Sequence, residues 1–131
     1  LKTDEFIEAD YPLLYPENQL EDLVDILSQS SRTIFPVINA RKELLGVIWL
    51  DNVRAVMFKP ELYQEITIGE LMTETKQTIS PQDPMETVMQ IFEASDQIVL
   101  PIVENGYYKG FISKSTVFSA YRKSLKINKL E

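Results

Sequence analysis

The chain has 131 residues, 44% hydrophobic and 25% charged, which is enough apolar material for one shared core but marginal for two separate cores. Its formal net charge of −7 argues against a nucleic-acid partner, which would call for clustered positive charge. Without cysteine or histidine it has no disulfide, no thiolate nucleophile, no zinc site of the usual ligands and no histidine general base.

The longest uncharged apolar run, Leu44-Leu-Gly-Val-Ile-Trp-Leu50, is far too short to span a bilayer, and no signal peptide is visible. The sequence opens on Leu1 with no preceding methionine. The expectation is therefore a fragment, with room upstream for a membrane domain.

The first periodic segment is Leu20, Leu23, Val24 and Leu27, spaced i, i+3, i+4 and i+7 as on one face of a helix, with Asn18 and Glu21 as its expected cap. Ile34-Phe-Pro-Val-Ile38 reads as a strand. Pro36 removes a ladder donor there, so a short or edge strand is expected. After the turn Asn39–Glu43, Gly46-Val-Ile-Trp-Leu50 reads as the returning strand. A shorter helix then starts at Asp51 or Asn52, with Val53, Val56 and Met57 inward. Residues 61–76 link the two halves of the chain, with a helical turn expected at Ile68–Met72.

The second half repeats the first. Adding 65 to the helix face gives Met85, Val88, Met89 and Phe92. The same shift carries Pro16 to Pro81 and Pro36 to Pro101. Val99-Leu-Pro-Ile-Val103 matches Ile34–Ile38, and Gly110-Phe-Ile-Ser-Lys114 matches Gly46–Leu50 with a shift of 64. The second copy is expected to run as a strand at Gln77–Ser80, a helix capped by Asp83 with Pro84 first and Glu86 three residues on, and a strand at Gln97–Val103. Next come a turn at Gly106 with positive φ, a strand at Tyr107–Ser113 and a helix to about Lys126. Val117, Phe118, Tyr121 and Leu125 form that helix's expected inner face. The expected fold is mixed α+β: two β-α-β-β-α repeats, residues 6–60 and 77–126, packed about a pseudo-two-fold axis, with a basic tail at 127–131.

This order of elements resembles a tandem pair of CBS domains (a Bateman module) over roughly residues 6–126. More narrowly, Arg32-Thr-Ile-Phe-Pro-Val-Ile38, Leu45-Gly-Val-Ile-Trp-Leu-Asp-Asn52, Met57-Phe-Lys-Pro-Glu-Leu-Tyr63, Gly110-Phe-Ile-Ser-Lys-Ser115 and Ala120-Tyr-Arg122 resemble the cytoplasmic C-terminal module of prokaryotic CLC-family chloride channels and transporters. The resemblance implies a regulatory, non-catalytic module on the cytoplasmic side of the membrane. It would be a homodimer and part of the same polypeptide as a voltage-gated-type chloride channel or chloride/proton transporter. It also implies an inter-repeat cleft that takes AMP, ADP or ATP as a regulatory ligand, with no required cofactor and no metal. The other readings are a ligand-free dimerisation module and a CBS-pair sensor from another transporter or an enzyme.

The family's ribose motif runs from a glycine through two apolar residues to a threonine or serine, then two variable residues and an aspartate. The hydroxyl and a helix N-terminus then face the sugar and phosphate. Both copies depart from it. The first has Trp49 for the hydroxyl and Asn52 for the aspartate; the second keeps Ser113 but has Thr116 for the aspartate. The second is the better candidate. There Thr78, Ile79 and Ser80 line the pocket, Val99, Leu100 and Pro101 wall the base, Ser113 and Thr116 meet the sugar or phosphate, and Lys76 and Lys114 are the phosphate partners. Asn52 is the contact offered by the first copy. Each residue also has a plainer role: Ser113 as a helix cap, Thr116 as a first-turn residue, Trp49 as a core or interface aromatic, and the two lysines as solvated charges. Arg122, Lys123, Lys126 and Lys129 suit either an anionic partner or a solvated helix end.

Overall fold

The computed structural model describes residues 2–130, with side chains as far as residue 126, so Lys129 lies outside the described side chains. The chain divides into two compact units. One takes residues Asp10–Lys76 and Gly106–Tyr108; the other takes the segment ending at Ala9, Gln77–Asn105 and the chain from Lys109 onward.

In the unit built on Asp10–Lys76, α1 (Leu20–Leu27) buries Leu20 and Leu23 completely, as its apolar spacing requires. Its cap sits one residue later than the sequence suggests. The Asn18 carboxamide oxygen accepts from the Tyr15 N–H at 2.7 Å, which leaves Gln19 as the cap, its N–H donating to the Asp22 carboxylate at 2.8 Å. The short polar side chain of Asn18 finds a backbone donor three residues back and closes a loop instead of capping the helix.

Strand β1 (Ile34–Ile38) is buried along its whole length. It pairs antiparallel with β2 (Leu44–Trp49) in the register Ile34 to Trp49, Phe35 to Ile48 and Pro36 to Val47, with an irregularity at Val37/Ile38. β1 is not an edge, because its other side meets Leu14. The Leu14 N–H donates to the Pro36 carbonyl at 3.0 Å, and Ile38 N–H donates to the Leu14 carbonyl at 2.9 Å. The next parallel rung would need the N–H that Pro36 lacks, so pairing contracts to this single residue. Helix α2 (Leu50–Met57) continues from β2 without a loop and buries Val53. A short 3-10 turn (Pro60–Leu62) and α3 (Ile68–Leu71) come next; Ile68 joins the core formed by Leu14, Leu20, Leu23, Phe35, Val37, Ile48 and Val53. Thr73 then pairs reciprocally with Val47 through bonds of 3.0 and 2.9 Å.

The other unit repeats this plan. Helix α4 (Met85–Ala94) buries Met85, Val88 and Phe92. The expected strand at Gln77–Ser80 contracts to Ile79, whose N–H donates to the Pro101 carbonyl at 2.9 Å and whose carbonyl accepts from Val103 at 2.8 Å. Asp83 does not cap α4: its carboxylate accepts from the Ser80 N–H at 2.9 Å, as Asn18 does from Tyr15, and Pro84 takes the cap position. Strands β3 (Val99–Glu104) and β4 (Tyr107–Ser113) flank a two-residue turn with φ of 54° at Asn105 and 86° at Gly106, the two positive angles of a type I′ hairpin. Helix α5 (Lys114–Leu130) runs past the expected end, taking in the backbone of the basic tail as far as Leu130. Val117 is fully buried and Phe118 packs on the core, but Leu125 is 48% exposed and does not belong to the inner face.

The segment before Ala9 is part of the repeat as well. It forms a 3-10 turn (Thr3–Phe6), and Glu8 then pairs reciprocally with Phe111 at 2.8 and 2.9 Å. A shift of 65 carries Thr3 to Ile68 and Glu8 to Thr73, so this strap does for β4 what Ile68–Thr73 does for β2. The closeness of both straps explains two glycines. A Cβ on Gly46 would lie 2.6 Å from the Thr73 carbonyl oxygen, and one on Gly110 would lie 2.5 Å from that of Glu8. Gly110 also has φ of +142°. Among the described residues, no helix is long and apolar enough to cross a membrane.

The first unit carries a polar cluster. The Arg32 guanidinium stacks 3.9 Å above the Tyr11 ring and meets the Asp10 carboxylate at 2.6 Å. Tyr108 shares this unit; burial pushes its phenol well above the ordinary value of 10.0, with Tyr11 adding to the rise, Arg32 opposing it and Asp10 adding to it.

Two measurements check these points. In denaturant titrations Gly46→Ala should lose about 2 kcal/mol through overpacking. Gly110→Ala should lose more, because φ strain adds to the clash, and Gly106→Ala about 1 kcal/mol for its left-handed backbone alone. The neutral phenol of Tyr108 is favoured by folding, so its stabilisation is complete below pH 10 and falls as pH rises beyond. Tyr108→Phe should therefore flatten the loss of stability above pH 10, measured by the same titrations across the alkaline range.

Candidate ligand-binding site

The β4–α5 junction brings two of the expected residues together. β4 ends at Ser113 and α5 starts at Lys114, so Ser113 and Thr116 stand one helical turn apart, and their hydroxyls are hydrogen-bonded at 2.7 Å. Ser113 is half-buried and Thr116 exposed. The junction is held from below by a backbone bond: the Lys114 N–H donates to the Ile98 carbonyl at 2.9 Å, as Leu50 does to Thr33 in the other repeat. This sets the residue before β3 beside the start of α5, with Val99 next in the chain.

Of the residues expected to wall a base, only Val99 keeps partial exposure. Leu100 is a core residue at 3% exposure and Pro101 is buried, as is Ile79, expected to line the pocket from the first strand, at 0%. Their side chains pack inward, so what they offer at this surface is backbone. Thr78 is exposed. Ser80 is half-buried, its N–H held by Asp83 and its hydroxyl accepting from the Gln82 N–H at 3.1 Å. Lys114 extends along α5, its ammonium 5.7 Å from the Phe118 ring centroid, an i, i+4 cation–π pair. Lys76 and Asn52 are exposed and belong to the other unit. Trp49, at the end of β2, is half-buried.

The second unit thus supplies four hydroxyl-bearing side chains, one ammonium group and no uncommitted carboxylate among its expected site residues. That chemistry suits a neutral polar or anionic ligand. Among the described residues, no group of three or more acidic side chains is placed to hold a metal ion. Sequence reasoning missed Ile98. Its carbonyl anchors the junction and its side chain is 70% exposed. The repeat alignment held the signal, since a shift of 65 sets this apolar residue where the first copy has Thr33.

Residues 68–123 match the CBS domain family. Among solved structures, CbpB in complex with c-di-AMP is 17% identical, with a TM-score of 0.80 over 98% of this chain and 89% of that one. CBSX2 in complex with AMP, a CBS-pair protein of Arabidopsis thaliana, is 17% identical, with a TM-score of 0.77 over 93% of this chain and 97% of that one. Among curated proteins, the A-adding tRNA nucleotidyltransferase of Aquifex aeolicus is 26% identical over 106 residues, 81% of this chain, which spans only 12% of that enzyme's length. The chain therefore carries the fold of solved CBS-domain structures, and its residues 68–123 match that family.

Proposed function

We propose that this chain is a regulatory CBS-pair module that senses an adenine nucleotide at the β4–α5 junction of its second repeat. The observation that carries the reading is the Ser113–Thr116 hydroxyl pair, surface-accessible at the start of a helix and flanked by Lys114 and Val99. Two hydroxyls one turn apart can each donate and accept, as a ribose diol requires. The helix start and Lys114 favour a phosphate. Solved relatives of this fold have been captured with AMP and with c-di-AMP, which supports the ligand class.

The host we propose is a CLC-type chloride channel or chloride/proton transporter, with the module a homodimer on the cytoplasmic face. Its support is the sequence resemblance at Met57–Tyr63, Gly110–Ser115 and Ala120–Arg122. Reading the gene upstream of Leu1 tests this: several long apolar segments are expected, and a soluble catalytic domain would replace the host. The likeness to a tRNA nucleotidyltransferase favours that second outcome.

A ligand-free structural module is the competing reading. It is favoured by the two hydroxyls satisfying each other and by the absence of the motif's aspartate from both repeats. Calorimetry with ATP, ADP, AMP, adenosine and c-di-AMP separates the two. Saturable heat is expected at or below millimolar ligand, and Ser113→Ala with Thr116→Ala should weaken it about tenfold while leaving melting nearly unchanged. No heat from folded protein sinks the sensing reading, and unaltered affinity in the double variant moves the pocket elsewhere.

A further inference from the structure

We propose that the basic face of α5 in one copy of this chain docks on the acidic face of α1 in a second copy, an inference that rests on the homodimer reading and gives that dimer its contact. The two helices carry opposite charge with nothing to offset it. α5 has five basic residues and no acidic one, while the rest of the chain has eight basic and twenty acidic residues. α1 has three acidic residues, Glu21, Asp22 and Asp25, and no basic one. Among the described residues the ion pairs are Arg32–Asp10 and Arg54–Asp51. Neither the acids of α1 nor Arg122, Lys123 and Lys126 of α5 take part in one.

Spacing turns these charges into faces. Arg122, Leu125 and Lys126 fall at i, i+3 and i+4 and are all exposed, so an apolar side chain stands between two cations. Glu21 and Asp25 repeat the i, i+4 interval on α1, with Asp22 beside them. The helix dipole explains part of this, since bases suit the end of α5 and acids the start of α1. It does not explain Asp25, an exposed carboxylate in the last turn of α1, nor the like charges at i, i+4 on both helices, which destabilise the separate chain. An opposite face supplied from outside offsets both. The occupant is a second copy because the chain itself presents the complement at the same interval. An anionic membrane or a nucleic acid would suit α5 but would also meet the excess of acids on the rest of the chain. In a two-fold dimer the contact forms twice. Each exposed ion pair contributes little, so the dimer needs several at once and weakens with salt.

Sedimentation of the whole chain across concentration measures the dimer. Raising salt to about 0.5 M should weaken it about tenfold. At low salt, Arg122→Glu with Lys126→Glu should weaken it about tenfold, and so should Glu21→Lys with Asp25→Lys. Asp22 is kept because it caps α1. Circular dichroism checks helix content, and Asp25→Lys alone replaces the α1 pair if that variant unfolds. Mixing the α5 variant with the α1 variant should restore the dimer, since each then meets a face of opposite charge. Both variants keep a net negative charge, so recovery reports the matched faces and not bulk attraction. A dimer indifferent to salt and to both reversals overturns this contact and spares the homodimer reading, and failure to recover on mixing overturns the contact too. A monomer at every concentration overturns both. If that monomer cosediments with phosphatidylglycerol vesicles and the α5 variant does not, the face belongs to a membrane.

Discussion

The backbone pairing of a strap against a glycine-bearing returning strand is the contact on which the architecture turns. Val47 with Thr73, and Phe111 with Glu8, each exchange two bonds of 2.8 to 3.0 Å. On the other side of each hairpin the parallel neighbour is one residue long. An isolated two-stranded hairpin is marginally stable in water. Each unit therefore depends on a strap that lies outside its own β-α-β-β-α run: the segment before the first repeat completes the second hairpin, and the segment between the repeats completes the first. Close approach permits this, and it fixes glycine at positions 46 and 110.

That closure also places the candidate site. Phe111 is pinned by Glu8, and Lys114 is pinned by the Ile98 carbonyl, so Ser113 lies between two fixed points on the backbone. Held backbone on both sides lets small hydroxyls define a surface without long, rotamer-rich side chains. Ordering such side chains around a ligand costs conformational entropy.

The features legible in the sequence were those written in local periodicity. The i, i+3, i+4, i+7 spacing of Leu20, Leu23, Val24 and Leu27 and its copy at Met85–Phe92 located both α1 and α4. Asn105-Gly106 marked a hairpin, and β4 was read to its last residue. What was misread depended on competition between bonds. Asn18 and Asp83 have the composition of caps but bond backwards to Tyr15 and Ser80, which moves each cap on by one residue. Pro36 and Pro101 suggested short or edge strands; the strands are not edges, because the proline carbonyls still accept, and it is the neighbouring strand that is shortened. Leu100 and Pro101 were assigned to a ligand wall because alternation along β3 gives no direction: Leu100, Pro101 and Ile102 are buried in succession, as in a strand covered on both faces. The strap at Thr3–Glu8 has neither a long apolar period nor a local partner, since Phe111 lies far along the chain. Only carrying the repeat shift back to the first residues finds it.

The departure from the ribose motif then acquires a physical meaning under the proposed function. An aspartate at position 116 would offer charge-assisted bonds, roughly twice as strong as those of a neutral hydroxyl, and would bring its own negative charge toward any phosphate. Thr116 removes that repulsion and gives up the strong bond. It also bonds to Ser113 in the absence of ligand, so binding exchanges one neutral hydrogen bond for others at a net difference of about 1 kcal/mol. Under that proposal such a site would bind weakly and release readily, with charge selectivity left to Lys114 and the helix start. Trp49 and Asn52 give the first repeat no comparable hydroxyl pair. Two copies of one topology thus differ in that one presents a pair of bonded hydroxyls while the other presents a half-buried indole at the same point of the repeat.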